Sequence, residues 1–442
     1  MASKLRFVCN VCGYESGKWY GRCPSCSNWN TFAQFKVEDK KRTSYAHSDE
    51  VAISLEKAYH IKTSSNSRVS TGFEEFDRVL GGGVVLGSVI LLSGDPGIGK
   101  STILLQLALN VSNMASRKVL YITGEESSDQ VKMRIERLIN VKDLEKRNLF
   151  IISATNIDQV LEVLSKEKPT LVIIDSVQTM ESKEFPGFPG SIPQIRNATS
   201  SFVSFAKKNQ IPVFLVGHVT KEGIVAGPML LSHMVDAVLY LEGEKLSETR
   251  ILRAFKNRFG DATEVGIFIM KEKGLLEIKD ASSYFMDKKN EKVPGSCIAV
   301  VMEGTRPMMV EVQALVVPSG LSFPRRVVNG ISEKRVELLL AVIQKHVKIP
   351  VDRADVFVNV VGGMKILENA SDLAVCLAVV SSFKNKPLGS TAAVSEIGLL
   401  GELRNVSNLE KRMSEARKFG FKNVLTFKDF KFLNEVIPFI PI

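Results

Sequence analysis

No stretch of this chain stays apolar for the roughly 18 residues that a membrane-crossing helix requires, so no membrane partner is expected. The opening run Met1-Ala-Ser-Lys-Leu-Arg-Phe-Val8 lacks the apolar centre of a secretory leader, and a cytoplasmic location is the expectation that follows. Neither internal repeats nor low-complexity tracts occur, which leaves ordinary globular domains. Cysteine is sparse. Of six residues, four form two close pairs while Cys297 and Cys376 lie in apolar segments, a distribution unlike a secreted disulfide framework. With 442 residues and 45% hydrophobic content, two to three domains with sizeable cores are expected. The net charge of +10 suits a polyanionic partner such as nucleic acid, although charge spread along a chain also serves solubility alone.

What the chain does contain is a phosphate-binding signature. Gly94, Asp95, Pro96, Gly97, Ile98, Gly99, Lys100 and Ser101 fill every fixed place of G-x-x-x-x-G-K-[ST], and Thr102 follows. The glycines let backbone N–H groups turn toward phosphates, Lys100 supplies a point charge, and the Ser101 hydroxyl is placed to ligand Mg²⁺. The flanks agree, since Ser88–Ser93 reads as a buried strand and Ser101–Asn110 as a helix whose N-terminus favours anions. Short apolar strands alternating with helical patterns recur at Val119–Thr123, Leu149–Ile152, Leu171–Ile174 and Val213–Val216, the pattern of an α/β domain with a mostly parallel sheet. Hydrolysis of ATP needs a carboxylate on the metal shell and another group to orient water. Asp175 closes the strand from Leu171 as a Walker B residue does, and Glu125 or Glu126 follows the strand Val119–Thr123; spacing leaves the choice between them open.

Ahead of this domain, Cys9-Asn-Val-Cys12 and Cys23-Pro-Ser-Cys26 make two C-x-x-C hooks able to close a tetrahedral, structural Zn²⁺ site. A redox dithiol would need a thioredoxin-like βαβ frame that these residues lack. Trp19, Tyr20 and Trp29 are expected to form the small core of this module. The expected organisation is a zinc module at 1–31, a polar linker at 32–67, an ATPase domain at 68–286 and an α+β domain at 287–442, with a polar break at 287–292. In the last domain, strands are expected at Cys297–Val301, Met309–Val317 and Val356–Val360, and helices at Ser332–His346 and Ser371–Phe383.

These residues resemble the bacterial RadA (Sms) family, DNA repair ATPases with a RecA-like core. The resemblance spans essentially the whole chain and rests on the four cysteines, on Ser70-Thr-Gly-Phe-Glu-Glu-Phe-Asp-Arg-Val-Leu-Gly-Gly-Gly83, on Tyr121-Ile-Thr-Gly-Glu-Glu-Ser127, on Asp175-Ser-Val-Gln-Thr179 and above all on Lys256-Asn-Arg-Phe-Gly260. It implies a hexameric ring in which Lys256 and Arg258, alternating on a strand end and so facing one way, reach a neighbour's γ-phosphate like an arginine finger. It also implies coupling of ATP hydrolysis to movement on single-stranded DNA and to migration of branched intermediates made by the RecA recombinase. Two Gly- and Pro-rich loops fall where RecA-like rings face their channel. The first runs from Lys183 past Phe185 and Phe188 toward Arg196, the second from His218 through Lys221, so Lys183, Arg196 and Lys221 are the expected DNA contacts.

The C-terminal domain resembles the proteolytic domain of Lon through Gly362–Asp372 and Glu396–Arg404. Lon pairs a serine nucleophile with a lysine, but Ala370 and Glu410 stand at those places, with Ser371 and Lys411 each one residue away. Asn369 replaces a proline usual in the family. An assembly platform with a basic surface is therefore expected, Arg325, Arg326, Lys334, Arg335, Lys345 and Lys348 being its cations. Two other readings are a regulatory ATPase of the circadian-clock KaiC type, opposed by the zinc head and the pentapeptide, and an active Ser/Lys protease, opposed by the missing dyad.

Overall fold

The computed structural model describes residues 4–9, 14–25, 27–37, 68–114, 117–185, 187–217, 231–243, 248–286 and 293–439. The chain divides into two compact units, one of residues 1–242, 252–262 and 270–276, the other of residues 243–251, 263–269 and 277–442. The packing therefore departs from the single boundary expected at residue 287. Ile267, Ile269, Ile278, Ala281 and Phe285 are buried in the core of the second unit, so these segments belong to it; the polar break itself lies outside the described residues.

In the first unit, strand Val89–Gly94 pairs in parallel with Val213–Val216 on one side and Ala237–Glu242 on the other. Beyond Val213–Val216 the sheet continues, all parallel, through Leu171–Asp175, Val119–Thr123 and Leu149–Ser153. Every residue of Val89–Gly94, Val119–Thr123, Leu171–Asp175 and Val213–Val216 is buried, because helices cover both faces of a parallel sheet and strands so covered must be continuously apolar. Helix Ile192–Asn209 supplies Phe202 and Phe205 to one face, against Leu91, Ile174 and Leu215. The expected strands match within a residue, and the helix expected at Ser101–Asn110 runs Lys100–Ser112. Helix Ser128–Leu138 starts on a capping box, Ser127 with Gln130.

The second unit is built on a six-stranded sheet ordered Arg326–Asn329, Ala354–Val360, Arg306–Pro318, Ser296–Glu303, Thr391–Val394 and Asn423–Thr426. Helix Asp372–Lys384 packs on it with Asp372 through Ser381 all buried. The helix expected to reach His346 is α-helical only over Glu333–Val342 and ends in a π-helical turn, Ile343–Val347. Burial pushes the Cys297 thiol up to about 12 and raises Cys376 as well, so both act as small apolar fillers.

The expected basic surface contracts. Arg335 pairs with the buried Asp372 and donates to Ile397 O, while Arg326 donates to the carbonyls of Ala354 and Val351; both guanidinium groups are spent inside the fold. Arg325, Lys334, Lys345 and Lys348 remain exposed. At the positions compared with a Ser/Lys dyad, Ala370 and Ser371 are buried, Ser371 Oγ lies 3.4 Å from Glu368 O, Lys411 is exposed and Glu410 pairs with Lys428 at 2.6 Å. The next residue, Arg412, is fully buried, grips both carboxylate oxygens of Glu368 at 2.5 and 2.6 Å and donates to the carbonyls of Val300 and Ser407. Removing the guanidinium leaves the part-buried Glu368 carboxylate, 29% exposed, and the carbonyls of Val300 and Ser407 without their donor. Arg412→Ala should therefore cost about 1–3 kcal/mol, read as a lowered urea midpoint for the transition in which Cys376 becomes reactive to a thiol reagent.

Candidate functional site

Strand Val89–Gly94 delivers the chain into the phosphate loop, and helix Lys100–Ser112 takes it out. Gly94 sits at φ +146° with Leu241 O only 2.4 Å from where a Cβ would stand, so nothing larger fits. Gly97, at φ +78°, faces open space instead, which leaves its backbone approachable from outside. Lys100 is 4% exposed, with Nζ donating to Gly94 O at 2.8 Å and Asp95 O at 3.0 Å. Burial lowers its pKa, and the charges of Asp175, Asp95 and Glu125 oppose that drop.

Asp175 ends its strand buried beside this lysine. Burial raises its pKa, against hydrogen bonds from Tyr121 and Ser101 that favour the carboxylate. The Tyr121 hydroxyl donates to Oδ2, and the phenol is itself buried and pushed well above its usual range by desolvation. Ser101 and Asp175 thus already meet, as residues sharing one Mg²⁺ shell must, and the open face at Gly97 suits a phosphate chain; the donors fit magnesium nucleotide. The two glutamates, indistinguishable by spacing, diverge. Glu125 Oε1 accepts from Ser176 Oγ at 2.5 Å and its charge acts on Lys100 and Asp175. Glu126 instead pairs with Arg134 at 2.7 Å, its backbone N–H held by Thr123 Oγ1. Arg134 Nη2 also lies 3.5 Å from Thr102 Oγ1. Tyr121, Ser176 and Arg134 escaped the sequence reading as site residues. Tyr121 left one signal, a polar atom in an otherwise apolar strand; Arg134 left none.

Lys256 and Arg258 do face one way, and in this chain both are occupied. Lys256 Nζ donates to Ser232 O at 2.5 Å and Val235 O at 2.8 Å, and Arg258 Nη1 pairs with Asp236 at 3.1 Å. Asp236, buried, accepts from Val89 N through its other oxygen. Of the expected DNA contacts, Lys183 is exposed in its loop beside Phe185 and Phe188, 47% and 67% exposed. Arg196 is exposed but lies within helix Ile192–Asn209, not in the loop, because the helix starts right after Ser191 with Pro193 in its first turn. The buried Gln194 closes the loop, its Nε2 donating to Ser182 O at 3.0 Å and Phe185 O at 2.8 Å. His218 and Lys221 lie outside the described residues.

In the N-terminal module, strand Lys4–Cys9 pairs antiparallel with Glu15–Ser16 and Phe32–Val37. Cys9 and Cys23 are buried in one small cluster with Phe32, which places one cysteine of each hook in the same interior; Cys12 and Cys26 lie outside the described residues. The aromatic core expected here is not found. Trp19, Tyr20 and Trp29 are 54%, 41% and 69% exposed, since Cys9, Cys23 and Phe32 already fill so small an interior. Trp29 lies instead against the Arg22 guanidinium, 5.9 Å from its ring centre.

Two outcomes are expected. Lys100→Ala should abolish nucleotide turnover and weaken nucleotide binding, while Glu125→Gln should keep binding and lose turnover by a factor on the order of 10² or more, both measured by phosphate release and by titration with a fluorescent nucleotide. Purified protein should carry zinc near one equivalent by elemental analysis, and chelation should unfold the N-terminal module.

A family model described as an AAA domain matches residues 56–223, and one described as a rubredoxin metal binding domain matches residues 7–34. The DNA repair protein RadA of Bacillus subtilis is 44% identical over 427 residues, covering 96% of this chain and 92% of that protein. RadA of Pseudomonas aeruginosa is 45% identical over 429 residues with the same coverage of both. A KaiC-like protein of Pyrococcus horikoshii superposes on 48% of this chain with a TM-score of 0.39 and 18% identity, covering 98% of that chain, a likeness too loose to bear on function. Identity at this level across nearly the full length of both relatives leaves one conclusion: the chain belongs to the RadA family of DNA repair proteins.

Proposed function

We propose that this protein is a DNA-dependent ATPase that couples hydrolysis to translocation on single-stranded DNA and promotes branch migration of strand-exchange intermediates made by the RecA recombinase. The observation that carries the reading is the convergence of Lys100, Ser101, Asp175 and Glu125 at one strand-end cluster. ATP is read into the loop from Gly94 to Thr102, with Ser101 and Asp175 as magnesium ligands. The ion, when bound, draws charge off the phosphate oxygens. Lys100 leaves the carbonyls of Gly94 and Asp95 for the phosphates, and Glu125, steadied by Ser176, orients the attacking water. Lys256 and Arg258 serve the neighbouring subunit's γ-phosphate in a hexameric ring.

Lys183, Arg196 and Lys221 are assigned to single-stranded DNA, with Phe185 and Phe188 exposed for stacking on bases. Cys9, Cys12, Cys23 and Cys26 hold zinc. The unit ending the chain is an assembly platform without protease activity, a reading supported by Ala370 and Glu410 and by the burial of Ser371 away from the exposed Lys411. The domain extents 1–31, 32–67, 68–286 and 287–442 and a cytoplasmic location complete the proposal; among the described residues no helix is long and apolar enough to cross a membrane.

ATPase rate with and without single-stranded DNA, together with unwinding of a forked duplex, tests the motor. Stimulation and unwinding are expected, and absence of any DNA effect on either overturns the motor reading. Arg258→Ala should depress turnover by about 10³-fold or more, as loss of an arginine finger does, while hexamer mass and nucleotide affinity hold; undiminished turnover would remove it from the site.

A further inference from the structure

Two adjacent carboxylates leave the end of strand Val119–Thr123, and they are treated differently. Glu125 is turned toward the phosphate loop, bonded to Ser176 and acting electrostatically on Lys100 and Asp175. Glu126 is pulled toward helix Ser128–Leu138 by Arg134, whose Nη1 meets Oε2 at 2.7 Å while Nη2 lies 3.5 Å from Thr102 Oγ1, the residue after Ser101. The Glu126 backbone is clamped as well, its N–H to Thr123 Oγ1 at 2.9 Å and its carbonyl to the same hydroxyl at 3.0 Å. The Arg134 side chain is 22% exposed and that of Glu126 35%, so the pair is sheltered enough to hold one geometry. Glu126 still acts on Tyr121, the residue bonded to Asp175, so its carboxylate is within electrostatic range of the site.

We propose that Arg134 is a positioning residue that holds Glu126 out of the phosphate and magnesium shell, leaving Glu125 as the one glutamate that addresses the attacking water. The inference rests on the ATPase reading above. Without the guanidinium, the Glu126 carboxylate loses the charge that directs it sideways and can rotate toward Ser101 and Asp175. There it would add a negative charge and a further oxygen donor beside Ser101 and Asp175, the side chains that would hold magnesium. An added carboxylate would strengthen the hold on the ion and its bound product and displace the attacking water.

The test is a double-mutant cycle on the full chain. Arg134→Ala should lower kcat on the order of tenfold or more with KM for ATP little changed. Its ADP complex should bind Mn²⁺ about threefold tighter or more, read from the electron paramagnetic resonance of the unbound ion. Adding Glu126→Ala should reverse both effects, raising turnover several-fold above Arg134→Ala and removing the gain in Mn²⁺ affinity. A double variant as slow as Arg134→Ala would overturn the proposal and assign Arg134 to direct contact with the nucleotide. Unchanged Mn²⁺ affinity in Arg134→Ala would overturn it too. Arg134→Gln, similar in length but uncharged, replaces the alanine variant if that one fails to fold by circular dichroism. A wild-type chain that hydrolyses no ATP would sink the ATPase reading itself, which separates the two failures.

Discussion

Burying the ammonium of Lys100 is the constraint around which the first unit is arranged. A cation taken from water is costly unless polar groups replace its hydration. Here the replacements are two loop carbonyls close at hand and three carboxylates nearby, drawn from three separate strand ends. Parallel strands meet that need because all their C-terminal ends open on one edge of the sheet. Asp95 follows Val89–Gly94, Asp175 ends Leu171–Asp175 and Glu125 follows Val119–Thr123. Each of these carboxylates in turn needs company, which accounts for Tyr121 and Ser101 on Asp175, Ser176 on Glu125 and Tyr240 on Asp95.

How much of this was legible in the sequence follows from how local each cause is. The phosphate loop, its flanking strand and helix, and Asp175 at a strand end are set by neighbours within a few residues, and they stand where patterning placed them. The partition between Glu125 and Glu126 depends on Ser176 and Arg134, 51 and 8 positions away, and no local pattern reports it. Gln194 closing the loop around Phe185 is hidden for the same reason. The misplaced aromatics of the N-terminal module have a different cause. Aromatic residues are read as core on the premise that hydrophobic burial holds a domain together, whereas a module of this size is closed around its cysteines and leaves its tryptophans outside. Composition places the last boundary at 287, whereas contacts group two strand segments and residues 277–286 with later sequence, a long-range choice that composition does not encode.

The C-terminal unit spends several of its polar side chains on its own interior. Where a reactive pair would require an accessible serine beside a lysine, the chain buries Ser371 next to a carbonyl and runs Arg412 through the interior to Glu368. Arginine suits this role because its planar fork satisfies a carboxylate and two carbonyls at once. The result is a polar strut linking helix Leu409–Lys418, strand Ser296–Glu303 and the segment before Ala370. Rigidity is what this arrangement supplies.

Asp236 joins two parts of the first unit. Its buried carboxylate serves the first N–H of strand Val89–Gly94 with one oxygen and Arg258 with the other, and the Arg258 side chain remains 51% exposed. Because Asp236 is itself only 7% exposed, this is not a surface ion pair, and its carboxylate needs a partner at each oxygen. The guanidinium thus stands half in water, held through one nitrogen to a buried carboxylate. The same carboxylate fixes Val89, so the strand that carries the phosphate loop and the segment that carries Arg258 share one anchor.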